Sequence, residues 1–302
     1  MTNKGEKGIL TLYSDVQATS VRWLWYPFIA VGKITLLQGD PGDGKSTMMM
    51  HLIAELSKGG TLPDGKTIGM PQRAIYQCSE DGISDTIKPR LEKCGADCRN
   101  VAFINEETYS GLTLDDERIR QAIIEFRPRL VVIDPIQAYL GRDSDLQIAG
   151  RARRLMQRLG MWASMYDCAI VLIGHLNKSS GTQSTYRGLG SIDIMAAVRS
   201  LIFIGKVRKD PTTRVLIHEK SSLAPPGETM AFKLGDEEGF RWVGAYEISA
   251  DELLDGKEGK ATETKLERGR KLIRELLADK KEISIRELDE KAKEQGISGR
   301  TM

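Results

Sequence analysis

Nowhere in the 302 residues does an apolar run reach the roughly 20 residues needed to cross a bilayer. The stretch Met1-Thr2-Asn3-Lys4-Gly5-Glu6-Lys7 leads into no signal-type apolar core. Both absences predict a cytoplasmic protein with no membrane partner. An excess of either charge is also missing: 44 Lys and Arg stand against 42 Asp and Glu, a net charge of +2. That balance excludes a chain that is basic all over, so nucleic-acid contact must come from a local patch or from charge concentrated by assembly. Histidine occurs three times and cysteine four times. Only Cys94 and Cys98 are close in sequence, and no histidine lies near them. This pattern argues against a zinc site and predicts reduced structural thiols.

What is present centres on Gly39-Asp40-Pro41-Gly42-Asp43-Gly44-Lys45-Ser46, which reads G-x-x-x-x-G-K-S. Before it, Lys33 to Gln38 reads as a buried strand. After it, Thr47 to Lys58 reads as a helix. Strand, glycine-rich loop and helix form the context in which this pattern is a phosphate-binding loop. Gly42 and Gly44 permit backbone angles that a side chain forbids, and the loop N–H groups can then turn toward phosphate oxygens. The helix start adds the positive end of its dipole. Lys45 is expected on the β- and γ-phosphates and Ser46 on Mg²⁺, with Gly39 through Thr47 forming the ATP cradle.

Further strands end in polar residues. Ala74 to Cys78 is a short strand running into Ser79-Glu80-Asp81. Carboxylates at strand C-termini of an α/β sheet lie where ligands bind, so Glu80 is the candidate for polarising the attacking water. Leu130-Val131-Val132-Ile133-Asp134 is four apolar residues ending in aspartate, the Walker B pattern, which places Asp134 near Mg²⁺. Ala169 to Ile173 is another buried strand, leading to Gly174-His175-Leu176-Asn177-Lys178. His175 is the candidate γ-phosphate sensor. Between these strands, Asp85 to Lys93 reads as a helix blemished by Pro89, Val101 to Ile104 as a strand, and Asp115 to Phe126 and Leu146 to Tyr166 as helices.

The rest of the chain is less regular. Val21 to Phe28 is dense in aromatics, and the simplest expectation is that they pack. Residues 179–191 are rich in Ser, Thr and Gly. With Lys178 and Arg187 they could clamp single-stranded DNA, although an ordinary surface loop has the same composition. From Ser200 to Val243 short strands joined by turns suggest an antiparallel extension, with Lys220 closing one of them. Residues 249–263 are polar and read as a linker. Residues 264–302 read as helix, helix, turn and helix start, a partial helix-turn-helix or winged-helix-like unit. The expected division is therefore an N-terminal segment 1–30, an ATPase domain 31–248, the linker and this small unit.

These elements, in this order, resemble the RecA-like ATPases, and within them the hexameric plasmid replicative helicase family of RepA and the wider DnaB-type group. The resemblance spans roughly residues 20–245. It implies an α/β RecA-like P-loop core with a mainly parallel sheet, and hydrolysis of ATP with Mg²⁺ at subunit interfaces of a ring. By the same resemblance Glu80 matches the catalytic glutamate and His175 the sensor. Lys220 matches the basic residue that reaches into the neighbour's site, and the stretch around Arg187 matches a loop facing the central channel. The chain departs from the family in having no primase or loader-binding domain on its N-terminal side. Two functions follow as expectations. The first is a ring motor on single-stranded DNA, a replicative helicase of a plasmid, phage or mobile element. The alternative is a RecA-like regulatory or recombination-mediator ATPase that binds DNA without unwinding it.

Overall fold

The computed structural model describes residues 9–106, 111–141, 149–176, 192–235, 239–254, 260–262, 270–276 and 284–294. A small ribbon of Trp23–Trp25 (β1) and Ile29–Ala30 (β2) precedes Ile34–Gly39 (β3) and the helix Lys45–Lys58 (α1). Ala74–Cys78 (β4), Lys88–Lys93 (α2), Val101–Ala102 (β5), Glu117–Phe126 (α3) and Leu130–Asp134 (β6) follow. Then come Ala149–Met165 (α4), Ala169–His175 (β7), Ile192–Ala197 (α5) and Ser200–Lys206 (β8). Thr213–Ser221 (β9), Met230–Gly235 (β10), Gly239–Glu247 (β11), Ala250–Leu254 (α6), Lys260–Thr262 (β12) and Ile285–Glu294 (α7) come last.

Ten of these strands form one sheet, ordered β12-β11-β10-β9-β8-β3-β7-β6-β4-β5. Pairing is parallel from β8 to β5. It is antiparallel from β8 to β12. The α/β class and the antiparallel C-terminal extension are thus both present. The changeover lies at β8, which is parallel to β3 and antiparallel to β9.

The parallel strands are apolar throughout because helices cover both faces. Alternation along each strand divides them. Leu37, Val132 and Val171 face a core shared with Met49 and Ile53 of α1. Leu36, Val131 and Leu172 face a second core with Ile119 and Ile123 of α3 and Leu155 and Trp162 of α4. The aromatic stretch packs as expected: Trp25 is fully buried, with ring centroids 4.5 Å from Phe28 and 5.8 Å from Trp242 of β11. In the same region His218 of β9 is buried between two partners. Its Nδ1 accepts from the Gly227 N–H, and its Nε2 lies 2.9 Å from Ser200 Oγ, which donates to the Phe28 carbonyl.

The helix expected over 85–93 is present: a π-helical turn, Ile83–Ile87, runs directly into α2, and Pro89 sits just past the junction of the two. Two other sequence expectations are corrected. The strand expected over 101–104 spans only Val101–Ala102. The linker expected over 249–263 instead carries α6, whose Ala250 and Leu253 are buried against the extension, and β12, which pairs with β11. In the C-terminal unit, residues 270–276 and α7 are helical, with Leu272 and Ala292 buried together. Its expected turn and third helix lie outside the described residues.

Candidate nucleotide-binding site

The parallel half of the sheet brings its strand C-termini to one edge. Gly39 is in register with His175, and Cys78 with Asp134. The glycine-rich loop leaves β3 at this edge and enters α1 through Gly44, whose φ of +85° lies in the left-handed region. Two of its glycines are required by close approach. A Cβ on Gly39 would lie 2.2 Å from the Ile204 carbonyl oxygen, and one on Gly44 would lie 2.4 Å from Leu234 Cδ1. The loop is therefore wedged against the antiparallel half of the sheet as well as the parallel half. Asp40, Pro41 and Gly42 form its exposed lip, while Thr47 is half-buried in the first turn of α1.

Lys45 is buried, and its Nζ donates to the Gly39 and Asp40 carbonyls at 2.9 and 2.7 Å. Burial pushes its ammonium below the ordinary lysine value, opposed by the charges of Asp43, Asp134, Asp40 and Glu80. Those carboxylates therefore surround the lysine where a phosphate would meet it. Ser46 Oγ donates to Asp134 Oδ2 at 2.5 Å. Tyr76 Oη donates to the same oxygen at 2.6 Å. A hydroxyl and a carboxylate held this close, beside a lysine, are oxygen donors of the type Mg²⁺ takes, so the pair fits a magnesium site.

Glu80 is exposed two residues beyond β4, on the same edge, and close enough for its charge to act on Lys45. His175 closes β7 beside Gly39. Its carbonyl lies 3.4 Å from Gln137 Nε2, while its own Nδ1 is buried without a hydrogen-bond partner among the described residues. Gln137 Oε1 is orphaned likewise. Unpaired buried polar atoms are costly, and two of them at the edge where a γ-phosphate would lie are groups a ligand or water can satisfy.

Lys220 is placed apart from this cluster. It pairs across from Leu201, which is in register with Leu36, three residues below Gly39 and two strands away. By strand geometry that is roughly 14 Å from the loop's first residue, beyond the reach of a lysine side chain. Its Nζ donates instead to the Met195 and Ala196 carbonyls at 2.7 and 3.2 Å, capping α5. Burial pushes its ammonium down, and the charge of Arg199 adds to that. On the same end of the sheet, Lys33, Ile34, Arg153, Met156 and Arg199 line a cavity of about 420 Å³. Lys178 and Arg187 lie outside the described residues.

Tyr76, Gln137 and Arg214 belong to the neighbourhood of the site although sequence reasoning did not select them. Tyr76 lies beside Gln77 in the short buried strand Ala74–Cys78, and polar side chains in a strand otherwise made of Ala, Ile and Cys are the one signal that could have found it. All four cysteines are unpaired. Among the described residues no group of three or more His, Cys, Asp or Glu could hold a metal, and no helix is long and apolar enough to cross a membrane.

Several known proteins are similar to this chain. The chain is 25% identical over 250 residues to the DNA repair protein RadA of Streptococcus pyogenes serotype M3, covering 82% of this chain and 49% of that protein. It is 26% identical over 253 residues to RadA of Halalkalibacterium halodurans, covering 83% and 50%. It is 25% identical over 254 residues to RadA of Bacillus subtilis strain 168, covering 83% and 49%. The chain thus spans about half the length of the curated relatives it matches. The crystal structure of the RadB recombinase overlays on 70% of this chain and 91% of its own, at 18% identity and a TM-score of 0.48. A family model described as an AAA domain, AAA_25, matches residues 10–181, more than half of the chain. With its glycine-rich loop, paired Ser46 and Asp134, and parallel sheet, the chain is a RecA-like P-loop ATPase and belongs to the AAA_25 family of AAA domains.

Proposed function

We propose that this ATPase uses its nucleotide state to control its own assembly on DNA, as a recombination-mediator or regulatory ATPase, and does not unwind the duplex. The observation that carries the hydrolytic part is the convergence of Lys45, Ser46, Asp134, Glu80 and His175 on one sheet edge. The relatives named above are called DNA repair proteins, which favours this reading over the replicative helicase that resemblance to RepA and DnaB implies.

In this reading the phosphates of ATP lie against the backbone of Gly39 to Thr47. Lys45 exchanges its two loop carbonyls for phosphate oxygens. Ser46 and Asp134 would hold Mg²⁺, which would supply charge neutralisation to the triphosphate. Glu80 orients the attacking water, and His175 senses the γ-phosphate through its orphaned Nδ1. Lys220 offsets charge in the site of the next copy of the chain in a homo-oligomer, a role supported by its distance from its own loop. Lys178 and Arg187 supply the DNA-facing charge, and a ring of six copies would gather it about one axis.

The test is nucleotide-dependent binding of single-stranded DNA, measured alongside strand displacement on a forked duplex. ATP-dependent binding that Lys45→Ala abolishes, with no displaced strand, supports the proposal. Binding indifferent to nucleotide overturns it.

A further inference from the structure

One loop residue is out of keeping with a cradle for anions. Asp43 points its carboxyl beneath the loop, is 7% exposed, and accepts the Asp40 N–H at 2.8 Å through Oδ2. That bond closes the loop's turn on itself. It also places a carboxylate under a site for a triphosphate, where like charge repels. Something must offset it.

The neighbouring strands identify what does. Gly39 abuts Ile204 of β8, and Gly44 abuts Leu234 and Phe232 of β10. The strand between β8 and β10 is β9. Its Arg214 is in register with Lys206 on one side and Phe232 on the other. Arg214 is therefore at the level of the loop, one strand beyond Ile204, beside which Asp43 Oδ2 lies, 3.3 Å from where a Gly39 Cβ would stand. It is 8% exposed, and its Nε has no hydrogen-bond partner among the described residues. Its Nη1 donates to the Pro211 carbonyl, in a turn tied by Asp210 to Thr212 and Thr213. The guanidinium is thus anchored to that turn, and it forms no hydrogen bond or ion pair with Asp43 among the described residues.

We propose that Arg214 is a positioning residue for the phosphate loop. Its charge acts on Asp43 from the next strand without a direct ion pair, and so helps hold the loop in the shape that receives the triphosphate while coupling it to the antiparallel half of the sheet. The inference rests on the nucleotide-binding reading of the site. Burial brings the Asp43 carboxyl up to about 6 and the Asp40 charge adds to it, while the Asp40 N–H, the Lys45 charge and, least of these, the Arg214 charge favour its ionised form. A buried charge stripped of its partner is far costlier than a pair removed together. Asparagine can still accept the Asp40 N–H, so charge and hydrogen bonding are separable.

The experiment measures Mg·ATP affinity, turnover at saturation and nucleotide-free melting temperature in the full chain. Arg214→Gln is expected to weaken affinity by about tenfold or more, with turnover at saturation within about twofold. Arg214→Lys, and Asp43→Asn combined with Arg214→Gln, are expected to return to within about threefold of wild type. A double variant as weak as Arg214→Gln, or an Arg214→Gln protein that binds like wild type, overturns the proposal. Should Arg214→Gln fail to fold, the double variant carries the test: it folds and binds if charge pairing is the task of Arg214, and does neither if guanidinium bulk is. Absence of ATP binding in the wild type would overturn the nucleotide reading and the positioning role together. The melting temperatures would then still show whether Asp43→Asn restores stability lost in Arg214→Gln, and so whether the two residues pair.

Discussion

Ser46 and Asp134, 88 residues apart in sequence, share a hydrogen bond of 2.5 Å, in which the serine hydroxyl donates to carboxylate Oδ2. Tyr76 donates to the same oxygen from the adjacent strand, so one carboxylate oxygen is held by two hydroxyls. Burial, together with the charge and hydrogen bond of Asp134, pushes the Tyr76 phenol well above its ordinary value, so it remains a donor at any physiological pH. Tyr76→Phe removes one of the two bonds that orient Asp134. The expected outcome is about tenfold more Mg²⁺ for half-maximal hydrolysis and a stability loss of about 1 kcal/mol. A magnesium titration of activity and a urea melt check both. An unchanged titration would mean that Ser46 alone orients the carboxylate.

Glu80 stands at the mouth of the site and touches none of the loop's own hydrogen bonds. Glu80→Gln is expected to slow hydrolysis by about a hundredfold or more while leaving ATP affinity within about threefold. Single-turnover hydrolysis and equilibrium nucleotide binding separate the two effects. A variant that binds ATP as poorly as Lys45→Ala would make Glu80 part of the cradle and not of the chemistry.

Lys220 lies too far from its own loop to serve it, so the catalytic role proposed for it depends on assembly. Lys220→Ala is expected to abolish most hydrolysis at concentrations where the protein is oligomeric. It should leave the residual rate of the dilute monomer unchanged, with a small fall in melting temperature from the uncapped α5 carbonyls. Rates measured across a dilution series, with mass determined at each point, test this. Equal proportional loss in monomer and oligomer leaves only the capping role.

His218 gives a pH prediction. Its Nδ1 accepts an N–H, so it must stay neutral, and burial pushes its pKa down to about 4. The unfolded chain takes up this proton near the ordinary value of about 6.5 and the native state does not. The contribution of His218 to stability is therefore complete above about pH 6.5 and lost as pH falls toward 4, by up to about 3 kcal/mol. Asp43, raised to about 6, works in the opposite sense between its unfolded value and pH 6. The informative quantity is thus the difference between wild type and His218→Asn. Wild-type stability should gain on the variant as pH rises from 4 to 6.5, and a difference flat with pH would mean that His218 is not held neutral.

The catalytic edge was legible because each part announces itself locally. Four strands end in Gly39, Cys78, Asp134 and His175, and each is an apolar run followed by a polar residue or glycine. What joins these parts was not legible. Tyr76 meets Asp134 through the register of β4 and β6, and Arg214 comes to the level of the loop because β8 and β10 abut two of its glycines. Register and close approach leave no mark in either segment alone. Residues 249–263 misled for a related reason: two apolar side chains, Ala250 and Leu253, are few enough to read as linker, yet a sheet edge was there to receive them.

The central claim is that a RecA-like hydrolase couples ATP to DNA binding without unwinding. Its most direct test is one forked-duplex reaction in which ATP hydrolysis, binding to the single-stranded arm and strand release are followed together. The account predicts hydrolysis that rises with the single-stranded arm, binding that requires ATP and is lost in Lys45→Ala, and no released strand. Directional release of the strand with ATP, or hydrolysis indifferent to DNA, would contradict it.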